Sequence, residues 1–337
     1  MKKHKIKFIK NVAWILILIL ILTTAFNFCY KKMLFEKKLI YRSEKMFQDF
    51  ISNPQEQEVD YIFFGDSHTN KGLNPEFVPN SFNYGMPAEN YLMTFFKLKK
   101  ILEHDKVRPK KIVLQVSLHT FSESSRDTAL LQNELHFYSK YLPYSEFKKI
   151  SEDSFLSYWI KSRLLFIGKS DDLQQLLNIG KRTEMYLGWS KSEGNFSLAK
   201  NKAETAKQTA ELHFKGRKMI SNQSLEYFLK TVKLAKDNNI TIYFMTYPTT
   251  KEYDEGIKKL NISKEDFYEL VFKEANAVGG GNYVWLDYYN LFFDHSEYFN
   301  DPHHLNYHGA EIFSKKIWQD LKRHSFAREV FTEDSLK

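Results

Sequence analysis

Nineteen consecutive residues, Val12 to Tyr30 (VAWILILILILTTAFNFCY), carry no charge. At about 1.5 Å of rise per residue, such a run covers a hydrocarbon core of roughly 30 Å. It is the one such run in the chain, so several membrane crossings are excluded. Lys2, Lys3, Lys5, Lys7 and Lys10 precede it with no acidic residue among them. That asymmetry predicts a cytoplasmic N-terminus and an exported body. Lys31, Lys32, Lys37 and Lys38 follow the run and blur the rule. A cleavable signal peptide is the alternative, but Phe28, Cys29, Tyr30 and Lys31 make a poor small-x-small cleavage site, which favours an uncleaved single-pass anchor.

The anchor also explains the charge. Residues 1–45 hold ten Lys and one Arg against Glu36 and Glu44, a balance of +9 out of the chain's net +8. The remaining residues are therefore one charge negative. A nucleic-acid-binding body would carry a basic surplus, so that class is set aside. The single cysteine, Cys29, lies in the apolar run, and the body has no thiol for a disulfide or a cysteine-based metal cluster. With 43% hydrophobic and 27% charged residues, the composition is globular rather than disordered.

The organisation reads as a basic tail (1–11), the span (12–30), a charged helical stalk or linker (31–58), a folded body (59–323) and a short tail (324–337). Within the body, short apolar runs alternate with one-faced helical patterns. Strands are expected at Tyr61–Phe64, Phe82–Tyr84, Ile112–Val116, Ile240–Met245 and Tyr283–Leu286. Helices are expected over Tyr91–Leu102, Leu225–Ala235, Phe267–Ala277 and Gly309–Leu321. This alternation predicts an α/β fold, a three-layer flavodoxin-like parallel sheet with helices on both faces. Residues 122–220 break the rhythm and read as a helical insertion, either a cap over the site or a structural appendage.

Open parallel sheets bind ligands beyond the carboxyl ends of their strands. The first strand runs straight into Gly65-Asp66-Ser67-His68, a tight turn that would present a serine hydroxyl at the sheet's edge. Asn300-Asp301-Pro302-His303-His304 stands before the last helix. At the Asp301-x-x-His304 spacing, a carboxylate can fix an imidazole's tautomer and stabilise its protonated form. His303 competes with His304 for that role on spacing alone. Asp66 could serve the base or cap its own turn, and His68 could line the site. Asp301, His304, His308 and His295 also suggest a metal site. There is no His-Glu-x-x-His pattern, and the serine reading needs neither metal nor cofactor.

Gly65-Asp66-Ser67-His68 resembles the first block of the SGNH/GDSL hydrolases. Asn83-Tyr84-Gly85 resembles their glycine block, and Asp301-x-x-His304 with Leu305-Asn306 and Gly309 resembles the final block. The resemblance covers about residues 59–121 and 222–323. With one N-terminal anchor, it is closest to the SGNH-like O-acyltransferases of cell-surface polysaccharides, of the alginate, peptidoglycan and teichoic acid D-alanyl transfer types. It implies Ser67 as nucleophile, His304 as base, Asp301 behind it, and the Gly85 N–H in the oxyanion site. It also implies a polysaccharide acceptor, a membrane-bound O-acyltransferase partner and an extracytoplasmic catalytic domain on the cell membrane. The family's usual Gly-x-Asn-Asp after the third strand is missing. Ser117 and His119 stand there instead as candidate side-chain donors. Transfer, hydrolysis of the same esters, and non-catalytic glycan or acyltransferase binding all remain open at this point.

Overall fold

The computed structural model describes residues 2–52, 59–103, 109–123, 135–167, 183–280 and 283–334. The chain divides into two units. One comprises residues 1–42 and 131–182, the other residues 43–130 and 183–337.

In the first unit, helix α1 (Lys2–Met33) contains the apolar run. It is long and apolar enough to cross a membrane, with a mean hydropathy of 2.4 over its most apolar stretch and none of that stretch buried by protein. Three short helices, α6 (Leu135–Tyr138), α7 (Tyr144–Phe147) and α8 (Phe155–Arg163), belong to the same unit. Tyr30, Phe35 and Leu165 form a small buried cluster there.

The second unit opens within helix α2 (Leu39–Ser52). Its sheet is entirely parallel, in the order β2-β1-β3-β6-β7. The strands are β1 (Tyr61–Phe64), β2 (Ser81–Asn83), β3 (Lys111–Gln115), β6 (Thr241–Met245) and β7 (Tyr283–Leu286). β4 (Met185–Tyr186) and β5 (Trp189–Ser190) form a separate small hairpin. The helices are α3 (Ser67–Gly72), α4 (Tyr91–Leu102), α5 (Leu118–Phe121), α9 (Lys202–Phe214), α10 (Asn222–Asp237), α11 (Lys251–Lys258), α12 (Lys264–Gly279) and α13 (Tyr307–Asp334).

Alternate residues along each strand point to opposite faces. Tyr61 and Phe63 of β1, Val113 of β3, and Tyr243 and Met245 of β6 share a buried cluster with Phe313, Ile317 and Leu321 of α13. On the other face, Phe244 meets Phe228 of α10, which in turn touches Tyr91 of α4. Helices therefore cover both faces, and the expected three-layer architecture is present. Each fully buried α13 side chain contributes about 1.5–3 kcal/mol relative to exposure, which ties the segment ahead of α13 to the sheet. Sequence-local signals set the helix ends. The side chains of Asn90, Ser221 and Ser263 accept N–H groups at the starts of α4, α10 and α12, and Gly280 ends α12 in the left-handed region.

Three assignments made from sequence change. Residues 43–52, read as stalk, belong to this unit: Phe47 stacks on Tyr84 with ring centroids 4.3 Å apart, and Phe50 and Ile51 are buried. The helix was expected, but its charged residues disguised an apolar inner face that covers the β2 edge. The insertion is also not a single body, because residues 183–220 belong to the sheet's unit and residues 131–182 to the other. The last helix runs on to Asp334, through residues assigned to the tail.

Candidate active site

β1 has β2 on one side and β3 on the other, so the chain reverses its direction across the sheet beside it. The crevice at such a switch point lies at the carboxyl ends of these strands. Ser67 is the first residue of α3, directly after β1. Its turn is held tightly. The Asp66 N–H donates to Gln115 Oε1 at 3.0 Å, and Thr69 Oγ1 donates to the same oxygen at 3.0 Å. A side chain on Gly65 would overlap Thr69 and Gln115, so glycine is required there. Asn83 Nδ2 donates to the Thr69 and Leu73 carbonyls at 2.6 Å each, and Asn70 Nδ2 donates to Gly85 O and Gly188 O. β3, β2 and the β4–β5 hairpin thus all brace the serine-bearing turn.

Ser67 Oγ lies 2.7 Å from His304 Nε2, across 237 residues of sequence. His304 Nδ1 lies 2.8 Å from Asp301 Oδ2 and 3.0 Å from Oδ1. The carboxylate also accepts the backbone N–H of His303 and His304 and the side-chain amide of Asn300. Burial works to raise the Asp301 carboxyl, but contacts from His303 and His304 outweigh it and hold it well below the usual carboxylate range. His304 is pushed well below its ordinary value by burial and by His303, against the pull of Asp301. At neutral pH the His304 ring is therefore neutral. Hydrogen bonding to Asp301 assigns the proton to Nδ1, which leaves the Nε2 lone pair for the Ser67 hydroxyl. His304, rather than His303, stands at hydrogen-bond distance from the Ser67 hydroxyl.

Asp66 serves a different set. Its Oδ1 caps α3 through the His68 N–H at 2.8 Å and meets His68 Nδ1 at 3.0 Å, while Oδ2 meets His119 Nε2 at 2.6 Å. Burial opposes its ionisation, yet His119 and His68 keep the carboxyl well below its usual range. His68 is 4% exposed, and burial lowers it from 6.5 to about 4. A ring of imidazoles results: His68 packs against His119, His303 and His304, and His213 packs against His119 and His303. His213 Nδ1 lies 2.6 Å from the Tyr253 hydroxyl, and burial holds His213 well below its ordinary value. His68, Ser117, His119, Tyr247 and Tyr253 line one cleft.

Ser67, His304, Asp301, Asp66, His68, Ser117 and His119 thus gather at one end of the sheet. Gly85 is a correction. A Cβ there would sit 2.7 Å from Thr69, so glycine is needed for packing, but its N–H donates to Asn83 Oδ1 at 3.0 Å and is not free for an oxyanion. The Asn83 side chain captures the N–H two residues on, a common Asx arrangement. His119 is likewise committed to Asp66, while Ser117 Oγ accepts from Gln115 Nε2 at 3.2 Å. His213 and Tyr253 were not anticipated. The only hint was that His213 flanks the buried stripe Ala206, Ala210 and Phe214 of α9. Asp287 accepts Thr246 Oγ1 and the Tyr289 N–H, a loop-bracing role.

Among the described residues, two groups place one ligand atom per residue within 4.8 Å of one another: His68 with His303 and His304, and Asp66 with His68 and His119. Of the four residues that suggested a metal from sequence, only His304 is in either group; His295, His308 and Asp301 are in neither, and His295 pairs with Glu297 at 3.0 Å.

No family model matches the chain, and no curated protein matches it. Solved structures do. A GDSL-like lipase from Bacteroides thetaiotaomicron aligns at 10% identity over 85% of this chain and 100% of its own, with a TM-score of 0.39. A candidate platelet activating factor from Streptococcus pneumonia aligns at 12% identity over 84% of this chain and 94% of its own, with a TM-score of 0.40. A candidate acylhydrolase from Bacteroides fragilis aligns at 12% identity over 82% of this chain and 96% of its own, with a TM-score of 0.38.

Proposed function

We propose that this protein is a membrane-anchored, extracytoplasmic serine acyltransferase that moves an acyl group, acetyl in the simplest case, to hydroxyls of a cell-surface polysaccharide. The observation that carries the chemistry is the aligned Ser67–His304–Asp301 array. Ser67 Oγ attacks the carbonyl carbon of an acyl donor while His304 Nε2 takes the hydroxyl proton. Asp301 stabilises the imidazolium that forms. The tetrahedral intermediate collapses, the leaving group takes the proton from His304, and the acyl group stays on Ser67. An acceptor hydroxyl then gives its proton to His304 and attacks the acyl carbon. Collapse returns the proton to Ser67 Oγ and leaves the ester on the acceptor.

The Ser67 N–H, in the first turn of α3 where helix N–H groups lack intrahelical partners, is the donor we assign to the oxyanion. Gly85 is engaged elsewhere, and the family's third-strand Asn is missing. Each such donor is worth about 10²–10³ in rate. A sparsely stabilised oxyanion suits slow transfer at a surface better than rapid hydrolysis. The span in α1 supports residence beside a membrane donor, for which a membrane-bound O-acyltransferase is the partner we assign. An esterase acting on the same esters is the second reading, because water competes with sugar for one acyl-serine.

The test gives the full-length protein an activated acetyl ester, with and without a soluble polysaccharide acceptor. Transfer predicts acetyl ester on the glycan, absent with Ser67→Ala. Release of acetate alone, unchanged by acceptor, would make the protein an esterase.

A further inference from the structure

The outer face of α8 is inverted for a helix in water. Tyr158 and Ser162 point inward and are buried, while Phe155, Leu156 and Trp159 are 58%, 64% and 43% exposed. Ile167, just beyond the helix, is 37% exposed. The positions 155, 159 and 163 lie at i, i+4 and i+8, so the outer stripe ends in a cation, and the Arg163 guanidinium sits 4.6 Å from the Trp159 ring centroid. Two apolar rings and a leucine on a single outward turn are costly in water, and an aromatic–cationic stripe of this kind is the composition of membrane–water interfaces.

The same unit says what covers this face. Asn27 of α1 donates to the Arg163 carbonyl at 3.2 Å and accepts the Leu165 N–H at 2.7 Å. Phe26 meets Phe166 edge-on at 4.8 Å. The end of α8 is therefore fixed to α1 three residues before the charge-free run ends at Tyr30, about 4.5 Å of helix rise from that end. Lys31 and Lys32 follow at once. A segment clamped at that height on a spanning helix lies at the level of the lipid headgroups.

We infer that α8, with Phe155, Leu156 and Trp159, is a second membrane contact that inserts into the interface of the leaflet where α1 ends. The occupant is the lipid surface itself. This inference rests on α1 being a membrane span, as in the proposed function. Phe155, Leu156 and Trp159 dip into the headgroup–acyl boundary, to a depth of about 5–10 Å, while Arg163 stays with the phosphates. The unit made by residues 1–42 and 131–182 then has two points of membrane attachment, which fix its rotation about α1 as well as its height.

Site-directed fluorescence quenching tests this in the full-length chain. Cys29 is the sole cysteine, so Cys29→Ser with Leu156→Cys places one label on α8, and the parent Cys29 carries one label on α1. A second reporter, Phe155→Cys in the Cys29→Ser background, guards against a local effect of the first. Each is reconstituted in phosphatidylcholine–phosphatidylglycerol vesicles, with and without a nitroxide high on the lipid acyl chain. The inference predicts that nitroxide lipid quenches labels at 29, 155 and 156, by roughly twofold or more for the α8 labels. Quenching at 29 without quenching at 155 and 156 would overturn the α8 contact, leave the anchor intact, and assign the apolar face to a protein partner. No quenching at any of the three would remove the anchor and the α8 contact together.

Discussion

Asp301 and Asp66 both stand against imidazoles at hydrogen-bond distance, and both are held ionised by them, yet the geometry gives them different work. Asp301 sits behind a histidine whose far nitrogen reaches the Ser67 hydroxyl. Asp66 adjoins the same serine in sequence, but among the described residues its two histidines make no hydrogen bond to a nucleophile; it caps α3 and ties that helix to the residues after β3. An acid–imidazole pair becomes a catalytic relay only when the imidazole's second nitrogen meets a reacting group. Otherwise it is a brace.

Substitutions should separate the relay from the brace, in descending size. Ser67→Ala removes the attacking oxygen and abolishes adduct formation with an activated ester, read by intact mass. Asp301→Asn leaves the array nearly isosteric but upsets the His304 tautomer, and acylation should fall about 10⁴-fold in single-turnover kinetics. Asp66→Asn keeps the relay, so acylation should fall far less, by about tenfold to a hundredfold. It should instead lower thermal stability by about 1–3 kcal/mol, because two buried partners lose a charged acceptor. An equal rate loss for both aspartates would erase the distinction.

Acid titration sharpens the contrast. His304 must be neutral to act, and its value is pushed below 6.5, so the acylation rate should stay flat through neutrality and fall only at more acidic pH. His68 acts on stability. Unfolded, it binds a proton near pH 6.5; folded, it does so only at about 4. Between those values the unfolded state binds more protons, so stability should decline as pH falls from 6.5 to about 4. A rate limb above pH 6.5 would contradict the environment described for His304.

The buried pair under the β2 loop is a third kind of charge contact, with no hydrogen bond of its own to Ser67, His304 or Asp301. Lys97 Nζ meets Glu89 at 2.5 Å and the Tyr84 carbonyl at 3.0 Å, with both side chains fully buried. Lys97→Met strands the Glu89 carboxylate and should cost about 3–5 kcal/mol in a chemical melt.

The five strands of the main sheet were legible because their sequences read as short apolar runs: YIFF, fully buried, and YVWL, at the sheet's half-buried edge, fall on their observed bounds, while β2 and β3 shift by one residue at both ends and β6 by one at its start. The meeting of Ser67, His304 and Asp301 was legible because their residue types and their placement after strand and before helix are chemically restrictive. What escaped reading depends on contacts distant in sequence. His213 lies in a polar helix and joins the site only through packing against His119 and His303. Residues 43–52 look charged until Phe47 is seen stacked on Tyr84. The Gly85 assignment failed for a local reason, since Asn83 two residues earlier carries an acceptor that captures its N–H.

In the proposed chemistry Ser67 carries the acyl group. Peptide mapping of the folded full-length protein after exposure to an activated acetyl ester should place one acetyl group on Ser67, with none in Ser67→Ala and little in His304→Gln. An unmodified Ser67 in folded protein, or an adduct that persists at an equal level in Ser67→Ala, would contradict it.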